Sequence, residues 1–175
     1  MSLTPVFKIG VWNTWILTTL LFLFIMLSRS LPKDIGKRIT PLDSKYRREM
    51  LILFFIMIMY SIFLPLKLNT IWFYAGLAVY IIGFIICSLA LLSIGNTKPD
   101  EPFTTGMYRY SRHPIALGTL LVMIGAGIAS ASWLFLLFSV FLVYTSYLEA
   151  ITEERATIKK FGDTYKQYMA RTPRW

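Results

Sequence analysis

Five long apolar stretches, separated by polar segments, make up most of the chain. They are Val6–Leu27, Met50–Leu66, Ile71–Ile94, Pro114–Ala129 and Trp133–Leu148. A helix rises about 1.5 Å per residue and needs about 20 residues to cross a membrane. The last two stretches are shorter and are joined by a small-residue turn at 129–132. The pattern predicts an all-α integral membrane protein with five transmembrane helices, of which the last two form a helical hairpin.

The basic residues predict how these spans are oriented. Of the 18 lysines and arginines, only Lys8, at the start of the first span, and Lys67, between the second and third, lie on one side of the predicted spans. The others lie in the loop at 28–49, in the loop before the fourth span and in the tail after the fifth. Cytoplasmic loops of membrane proteins carry an excess of Lys and Arg. We therefore expect an outside N-terminus and a cytoplasmic C-terminus, which an odd number of spans also requires.

The composition of the chain argues against nucleic-acid binding, an intramolecular disulfide and a metal site. Hydrophobic residues make up 56% of the chain, and its formal net charge is +9. Because the basic residues lie between apolar spans rather than on one soluble face, we expect anionic membrane lipids, and not nucleic acid, as their partner. The chain has one cysteine, Cys87, and one histidine, His113. It can therefore form no intramolecular disulfide, and its ligand set argues against a metal site.

The stretch YRYSRHPIALG, at 108–118, places the histidine directly before an apolar segment. A residue before proline avoids the helical region, and proline favours the first helical position, so His113 should cap a helix that starts at Pro114. The free N–H groups of residues 115–117 could then bind an anion such as a carboxylate, with Arg112 adding a fixed cation. The alternative is a simple polar cap at His113 and a lipid-phosphate anchor at Arg112.

Acidic residues cluster at the end of the fifth span. They are Glu149, Glu153 and Glu154. Residues four apart share a face of a helix, and acids are unfavourable near a helix C-terminus, where the macrodipole is negative. We therefore expect cationic partners, which could be Arg112, the lysines of the tail or a positively charged ligand. Ordinary salt bridges to Arg155 or Lys159 are the alternative.

The tail after the fifth span is amphipathic. Apolar and aromatic residues recur near helical spacing with lysines between them, and Gly162 interrupts the pattern. This predicts a C-terminal interfacial helix on the membrane surface. Aromatic side chains near the same interface could shield a cation or stack on a flat ring, although tyrosines are common there without a ligand. These residues are Tyr108, Tyr110, Tyr144, Tyr147, Phe161, Tyr165 and Tyr168.

Two blocks in the second half of the chain carry a resemblance to a known family. GMYRYSRHPIALG is followed by the apolar hairpin and then by EERATIKKFGDTYKQYMARTPRW. Together they closely resemble the isoprenylcysteine carboxyl methyltransferase family and its relatives, which include phospholipid N-methyltransferases. The match covers Gly106–Trp175, whereas the first hundred residues match only as several spans. We interpret 1–175 as a single membrane domain, with a three-span part at 1–98 and a cofactor-binding part at 99–175.

The resemblance implies a methyltransferase that uses S-adenosylmethionine and leaves S-adenosylhomocysteine. It implies catalytic roles for Arg112 and Glu154. The residues that it implies for cofactor binding are Tyr108, His113, Pro114, Leu117, Gly118, Glu153 and Glu154. The sequence departs from the family at Ala116, where relatives often have tyrosine. The small size and the five spans resemble a prokaryotic member, so we expect the chain in a prokaryotic plasma membrane.

The methyl acceptor that the resemblance favours is the carboxylate of an isoprenylcysteine-type lipid, which needs only a cation such as Arg112 to position it. The alternative is an amine of a phospholipid or another amphiphile, for which His113 or a glutamate would remove a proton. A non-enzymatic scaffold that binds anionic lipid is an alternative from another class. A transporter is not favoured, because the spans contain almost no ionisable residue before Glu149. No obligate protein partner is expected.

Overall fold

Six α-helices form the part of the chain that the computed structural model describes, which is residues 8–30, 44–98 and 101–175. They are α1 (Trp15–Ser30), α2 (Ser44–Ile62), α3 (Ile71–Gly95), α4 (Pro114–Ala129), α5 (Trp133–Phe161) and α6 (Asp163–Arg171). These ranges contain no β-strand, so the prediction of an all-α protein is confirmed for them. Residues 6 and 7 of the first predicted span, and most of the basic loop at 28–49, lie outside the described residues.

The hairpin of α4 and α5 forms where the sequence places it. The turn between the two helices contains Ala131 in a left-handed conformation, with φ at +51°. Ser132 then caps α5, because its side chain accepts a hydrogen bond from the Phe135 amide at 3.2 Å. The predicted hairpin is confirmed, and it sets the start of α4 and the end of α5 at the same end of the molecule.

The predicted ends of the first two spans are wrong. α1 begins only at Trp15, and α2 already ends at Ile62. Residues 8–14 are not helical but lie against the end of α2 and the segment that follows it. The Asn13 side chain donates a hydrogen bond to the Ile62 carbonyl at 2.7 Å, and the Thr14 amide donates one to the Leu64 carbonyl at 2.8 Å. Pro65 has no N–H group and cannot continue a helical hydrogen-bond pattern. Apolar composition does not distinguish a helix from a non-helical segment that is held by hydrogen bonds to another part of the chain.

Within the described residues, two helices have the length and hydropathy needed to cross a membrane. They are α3, with 25 residues, and α5, with 29 residues. The apolar helical parts of the other three are shorter, at Trp15–Phe24, Ile52–Ile62 and Pro114–Ala129. α5 is about 43 Å long, compared with a hydrocarbon core of about 30 Å, so its acidic end extends beyond the apolar zone. Five membrane-crossing helices therefore stay a prediction.

Glycines bring the backbones of α3 and α4 into direct contact. A Cβ atom added to Gly83 would lie 2.6 Å from the carbonyl oxygen of Gly118, and one added to Gly125 would lie 2.5 Å from the Tyr80 amide nitrogen. Small residues that allow this approach are typical of helix pairs in membranes, where dispersion between closely packed backbones replaces the hydrophobic driving force. The contact fixes α4, and hence its N-terminus, relative to α3.

The segment before α4 is fixed to the end of α3 by a second close approach. Gly106 has φ at +61°, a conformation that other L residues rarely adopt, and a Cβ atom there would overlap the Ser93 hydroxyl. That hydroxyl instead accepts a hydrogen bond from the Met107 amide at 3.1 Å. A 3-10 turn at Gly106–Arg109 follows and leads to the start of α4.

Neighbouring helices run in alternating directions, which separates two ends of the molecule. At one end, the Lys67 amide donates to the Ala129 carbonyl at 3.0 Å, and the Tyr60 and Ser132 hydroxyls lie 3.1 Å apart. At the other end, the start of α4 faces the last turns of α5. Lys8 and Lys67 belong to the first end, whereas the arginines and lysines at 98–175 belong to the second.

Candidate functional site

His113 is the N-cap of α4 and Pro114 is its first residue, as predicted. The His113 amide donates to the Ser111 hydroxyl at 3.1 Å, and its carbonyl accepts from the Leu117 amide at 3.1 Å. The Leu117 amide is therefore occupied, and the prediction of three free amides at 115–117 is wrong for that residue. The His113 ring makes no capping hydrogen bond and points elsewhere.

The His113 ring lies between two acids from the end of α5. Its Nδ1 atom is 3.3 Å from Glu153 Oε2, and its Nε2 atom is 3.2 Å from Glu154 Oε1. Both ring nitrogens thus face carboxylate oxygens, and which nitrogen donates depends on the tautomer of the ring. The hairpin brings the Arg-His-Pro block and the acidic pair together, although they are some forty positions apart in the sequence.

Arg112 adds a buried cation whose donors are not all used. Its Nη1 atom lies 3.1 Å from Glu154 Oε1, which is an ion-pair distance. The N–H groups do not point at an acceptor, however, so within the described residues neither Nε nor Nη1 forms a hydrogen bond, and both atoms are buried. Buried donors without an acceptor are costly. An anionic group of a ligand is the kind of acceptor that would complete this site.

Arg174, from the C-terminal tail, is the functional candidate that sequence reasoning missed. It forms a forked pair with Glu154, with Nη2 at 2.7 Å from Oε2 and Nε at 3.1 Å from Oε1. Its guanidinium also lies 5.1 Å above the Tyr147 ring. The hydrogen bond to Glu154 raises the pKa of Arg174 above its usual value. The signal in the sequence is its place in the PRW end of the second resembling block.

Two of the lysines that were candidates to pair with the acids at the end of α5 contact other residues. Lys166 pairs with Asp163 at 2.8 Å on the exposed face of α6, and Lys160 lies over the Phe161 ring at 4.9 Å. The alternative salt bridge to Arg155 is not formed by Glu154, whose partners among the described residues are two arginines and the histidine. Of the cationic partners that the sequence predicts, Arg112 lies against Glu154 whereas Lys160 and Lys166 contact other residues, because folding brings the distant arginines closer.

The tail contains a helix and, after it, an extended segment. α5 ends at Phe161, Gly162 breaks the helix with φ at +57°, and α6 follows, as the sequence indicated. After α6 comes an extended segment, Thr172–Trp175, which we call the C-terminal strap. It lies against the start of α4, where the Trp175 and His113 ring centres are 5.9 Å apart.

Tyrosines line this end of the molecule as hydrogen-bonding groups rather than as bases. Tyr108 and Tyr165 are buried, and the Tyr168 hydroxyl donates to the Tyr108 carbonyl at 2.6 Å. Burial raises the pKa of Tyr165 to about 12, and it also raises the pKa of Tyr108 and of Tyr168. All three phenols therefore stay protonated at neutral pH. Tyr110 and Tyr144 are exposed.

Gly118 lies one turn into α4 and faces α3. A Cβ atom there would lie 2.6 Å from the Cys87 sulfur and 2.8 Å from the Gly83 carbonyl oxygen. Helix packing therefore accounts for this glycine, and its contact with a cofactor stays a prediction. Ala116 is half-buried in the same turn.

Long apolar helices with an ion cluster at one polar end are typical of helical membrane proteins that act at the interface. A model of the phospholipid methyltransferase family matches residues 50–164, which is more than half of the chain. The chain belongs to this family. The family is part of the same group of integral membrane methyltransferases as the isoprenylcysteine carboxyl methyltransferases, so the resemblance is confirmed. No curated protein sequence matches the chain as a relative.

Proposed function

We propose that this chain is an S-adenosylmethionine-dependent methyltransferase that acts on a lipid-like acceptor at the cytoplasmic face of a membrane. Membership of the family supports methyl transfer and membrane association. The observation that carries the proposal for this chain is one cluster in which Glu154 and His113 connect a buried guanidinium with unused donors, Arg112, to a more accessible carboxylate, Glu153. A cation and an anion in one cluster match the amino-acid part of S-adenosylmethionine, which carries a carboxylate and an ammonium.

In this proposal the two glutamates have different roles. The Glu154 side chain is 4% exposed and both of its oxygens are paired, whereas the Glu153 side chain is 28% exposed and pairs with His113. Glu153 therefore binds the ammonium, and Glu154 holds the surrounding cations in place. The carboxylate binds Arg112 and the first-turn amides of α4.

When bound, S-adenosylmethionine supplies the methyl group, whose bond to sulfur breaks as its bond to the acceptor forms. The residues of the chain contribute mainly alignment and the exclusion of water. Tyr108, Tyr165 and Tyr168 keep their phenolic protons in this region, and Tyr168 connects α6 to the turn before α4. The lipid tail of the acceptor enters between the apolar helices that extend from the site end into the membrane.

For the acceptor, the charges favour an amine over the isoprenylcysteine-type carboxylate that the sequence favours. If Arg112 binds the carboxylate of the methyl donor, a second carboxylate must compete for the same cation. An amine acceptor instead has Glu149 as a candidate partner. Glu149 lies one helical turn before Glu153, and Glu149 forms no ion pair among the described residues. Glu149 takes one proton from the ammonium form of the acceptor, and the freed nitrogen lone pair then forms the new bond.

We propose five membrane-crossing helices, with the site end in the cytoplasm. The arginines and lysines of the described residues concentrate at the site end, while Lys8 and Lys67 lie at the other. A prokaryotic plasma membrane is the proposed location. α1, α2 and α4 are shorter than an ideal span, and interfacial side chains and local thinning of the bilayer accommodate them.

Binding of the methyl donor is the first test. We expect calorimetry to detect binding of S-adenosylmethionine to the detergent-solubilised protein, and we expect Glu153→Gln to weaken it about tenfold, because a charged hydrogen bond is lost. The matched control is Glu101→Gln, an exposed acid in the loop before α4. Absence of binding at millimolar donor would refute the enzyme, and binding to anionic vesicles alone would then favour the scaffold.

The acceptor is tested by transfer of a labelled methyl group. We expect transfer to phosphatidylethanolamine in mixed micelles, and a rate at least about tenfold lower for Glu149→Gln with donor affinity unchanged, because proton removal contributes at least that factor. The same assay with a farnesylated cysteine analogue tests the carboxylate acceptor. Transfer to the cysteine analogue and none to the phospholipid would contradict the role of Glu149.

A further inference from the structure

The C-terminal strap is held against the Arg-His-Pro block by its backbone. The Arg112 amide donates to the Pro173 carbonyl at 3.0 Å, and the Ser111 hydroxyl donates to the Arg174 carbonyl at 2.9 Å. At the other end of the strap, the Thr172 amide donates to the Tyr168 carbonyl at 3.0 Å and closes α6. These contacts fix where the Arg174 side chain can reach, independently of its charge.

Arg112 and Arg174 both approach the carboxylate of Glu154, but only Arg174 forms aligned hydrogen bonds with it. Arg174 forms two aligned hydrogen bonds, one to each oxygen of Glu154, at 2.7 and 3.1 Å. Arg112 approaches one of these oxygens to 3.1 Å without aligning a hydrogen bond, and it keeps Nε and Nη1 unused. A forked arrangement of guanidinium and carboxylate is the most favourable geometry for such a pair. Arg174 holds that geometry, so Arg112 cannot adopt it.

We propose that Arg174 is a positioning residue: by satisfying Glu154, it keeps the side-chain donors of Arg112 available for the carboxylate of the methyl donor. This inference rests on the proposed function. Without Arg174, the nearest acceptor for the free donors of Arg112 is Glu154, which is already within ion-pair distance. A rotation of the guanidinium would then form the forked pair with Glu154 and would use the donors that the ligand needs.

The positioning role of Arg174 can be distinguished from a general stabilisation of the site, because it affects only the carboxylate of the ligand. S-adenosylmethionine has the carboxylate, whereas decarboxylated S-adenosylmethionine lacks it and keeps the sulfonium, adenine and ammonium. If Arg174 acts through Arg112, its loss should weaken binding of the first ligand and leave binding of the second nearly unchanged. A general loosening of the site would weaken both.

The experiment is calorimetry with both ligands on the full chain. We expect Arg174→Gln to lower the affinity for S-adenosylmethionine about tenfold or more and to change that for the decarboxylated ligand less than about threefold. Arg174→Lys should show a smaller loss with the same selectivity, because an ammonium neutralises Glu154 but cannot fork to both oxygens. Arg171→Gln, an exposed arginine at the end of α6, is the matched control and should bind both ligands normally.

Equal losses for the two ligands, or no loss for either, would overturn the positioning role and leave the proposed function in place. Binding of neither ligand to the unaltered protein would refute the proposed function itself, and the positioning role with it. If Arg174→Gln does not fold, the ratio of the two affinities in Arg174→Lys decides the question. A ratio equal to that of the unaltered protein would overturn the proposal.

Discussion

Glu154→Gln is expected to destabilise the protein strongly and to abolish binding of the methyl donor. Glu154 is buried, and its carboxylate faces Arg112, Arg174 and His113 at 2.7 to 3.2 Å. Replacing it by a neutral amide leaves two guanidinium groups without their counter-ion. Breaking a buried ion pair by removing one partner costs about 3–5 kcal/mol. The strap that carries Arg174 should also detach from the start of α4.

Glu153→Gln is the matched comparison for Glu154→Gln. Glu153 is the neighbouring residue on the same helix, but its side chain is more open and pairs with His113 at 3.3 Å. We expect it to leave the unfolding temperature almost unchanged and to affect only donor binding. The measurement is thermal unfolding of both variants in the same detergent. Equal unfolding temperatures for the two variants would contradict the buried role of Glu154.

Gly83→Leu is expected to separate α3 from α4 and to cost about 3 kcal/mol or more, because a side chain there must overlap backbone atoms. An added Cβ would lie 2.6 Å from the Gly118 carbonyl oxygen and 2.7 Å from the Val122 amide nitrogen. Backbone of a neighbouring helix cannot move aside as a flexible side chain can. Since α4 begins at the ion cluster, donor binding should be lost together with stability.

Gly95→Leu is the matched control on the same helix. Gly95 is the last residue of α3, and no atom lies within 4 Å of an added Cβ there. We expect this variant to elute as the unaltered protein does in size-exclusion chromatography and to unfold at a similar temperature. A Gly83→Leu protein that behaves like Gly95→Leu would show that the helix contact is looser than the glycine spacing indicates.

The helical hairpin and its cap could be predicted from the sequence because their causes are local. Pro114 starts α4, and the small residues after Ala129 end it, whatever the rest of the chain does. The start of α1 could not be predicted this way. The apolar run that begins at Val6 hides this boundary, and the non-helical course of residues 8–14 depends on contacts with the segment after α2, such as the hydrogen bond from the Thr14 amide to the Leu64 carbonyl.

The candidate site shows the same division. The sequence placed His113, Arg112 and the acidic pair at one interface, because the length of the hairpin and the capping preference of proline follow from neighbouring residues. It did not indicate which acid is buried, because Glu153 and Glu154 are adjacent and only packing decides which one points inward.

By itself, then, the sequence determined the helical class, the hairpin and the charged residue types at its open end, since periodicity, capping and hydropathy are properties of short segments. Only the tertiary structure decided that Arg174 forms the forked pair with Glu154 and that two nitrogens of Arg112 form no hydrogen bond. Gly162 turns the chain between α5 and α6, so the contact of Arg174 with α5 depends on the path of the whole tail. Distances of that kind follow from the packing of several elements together, and no local pattern encodes them.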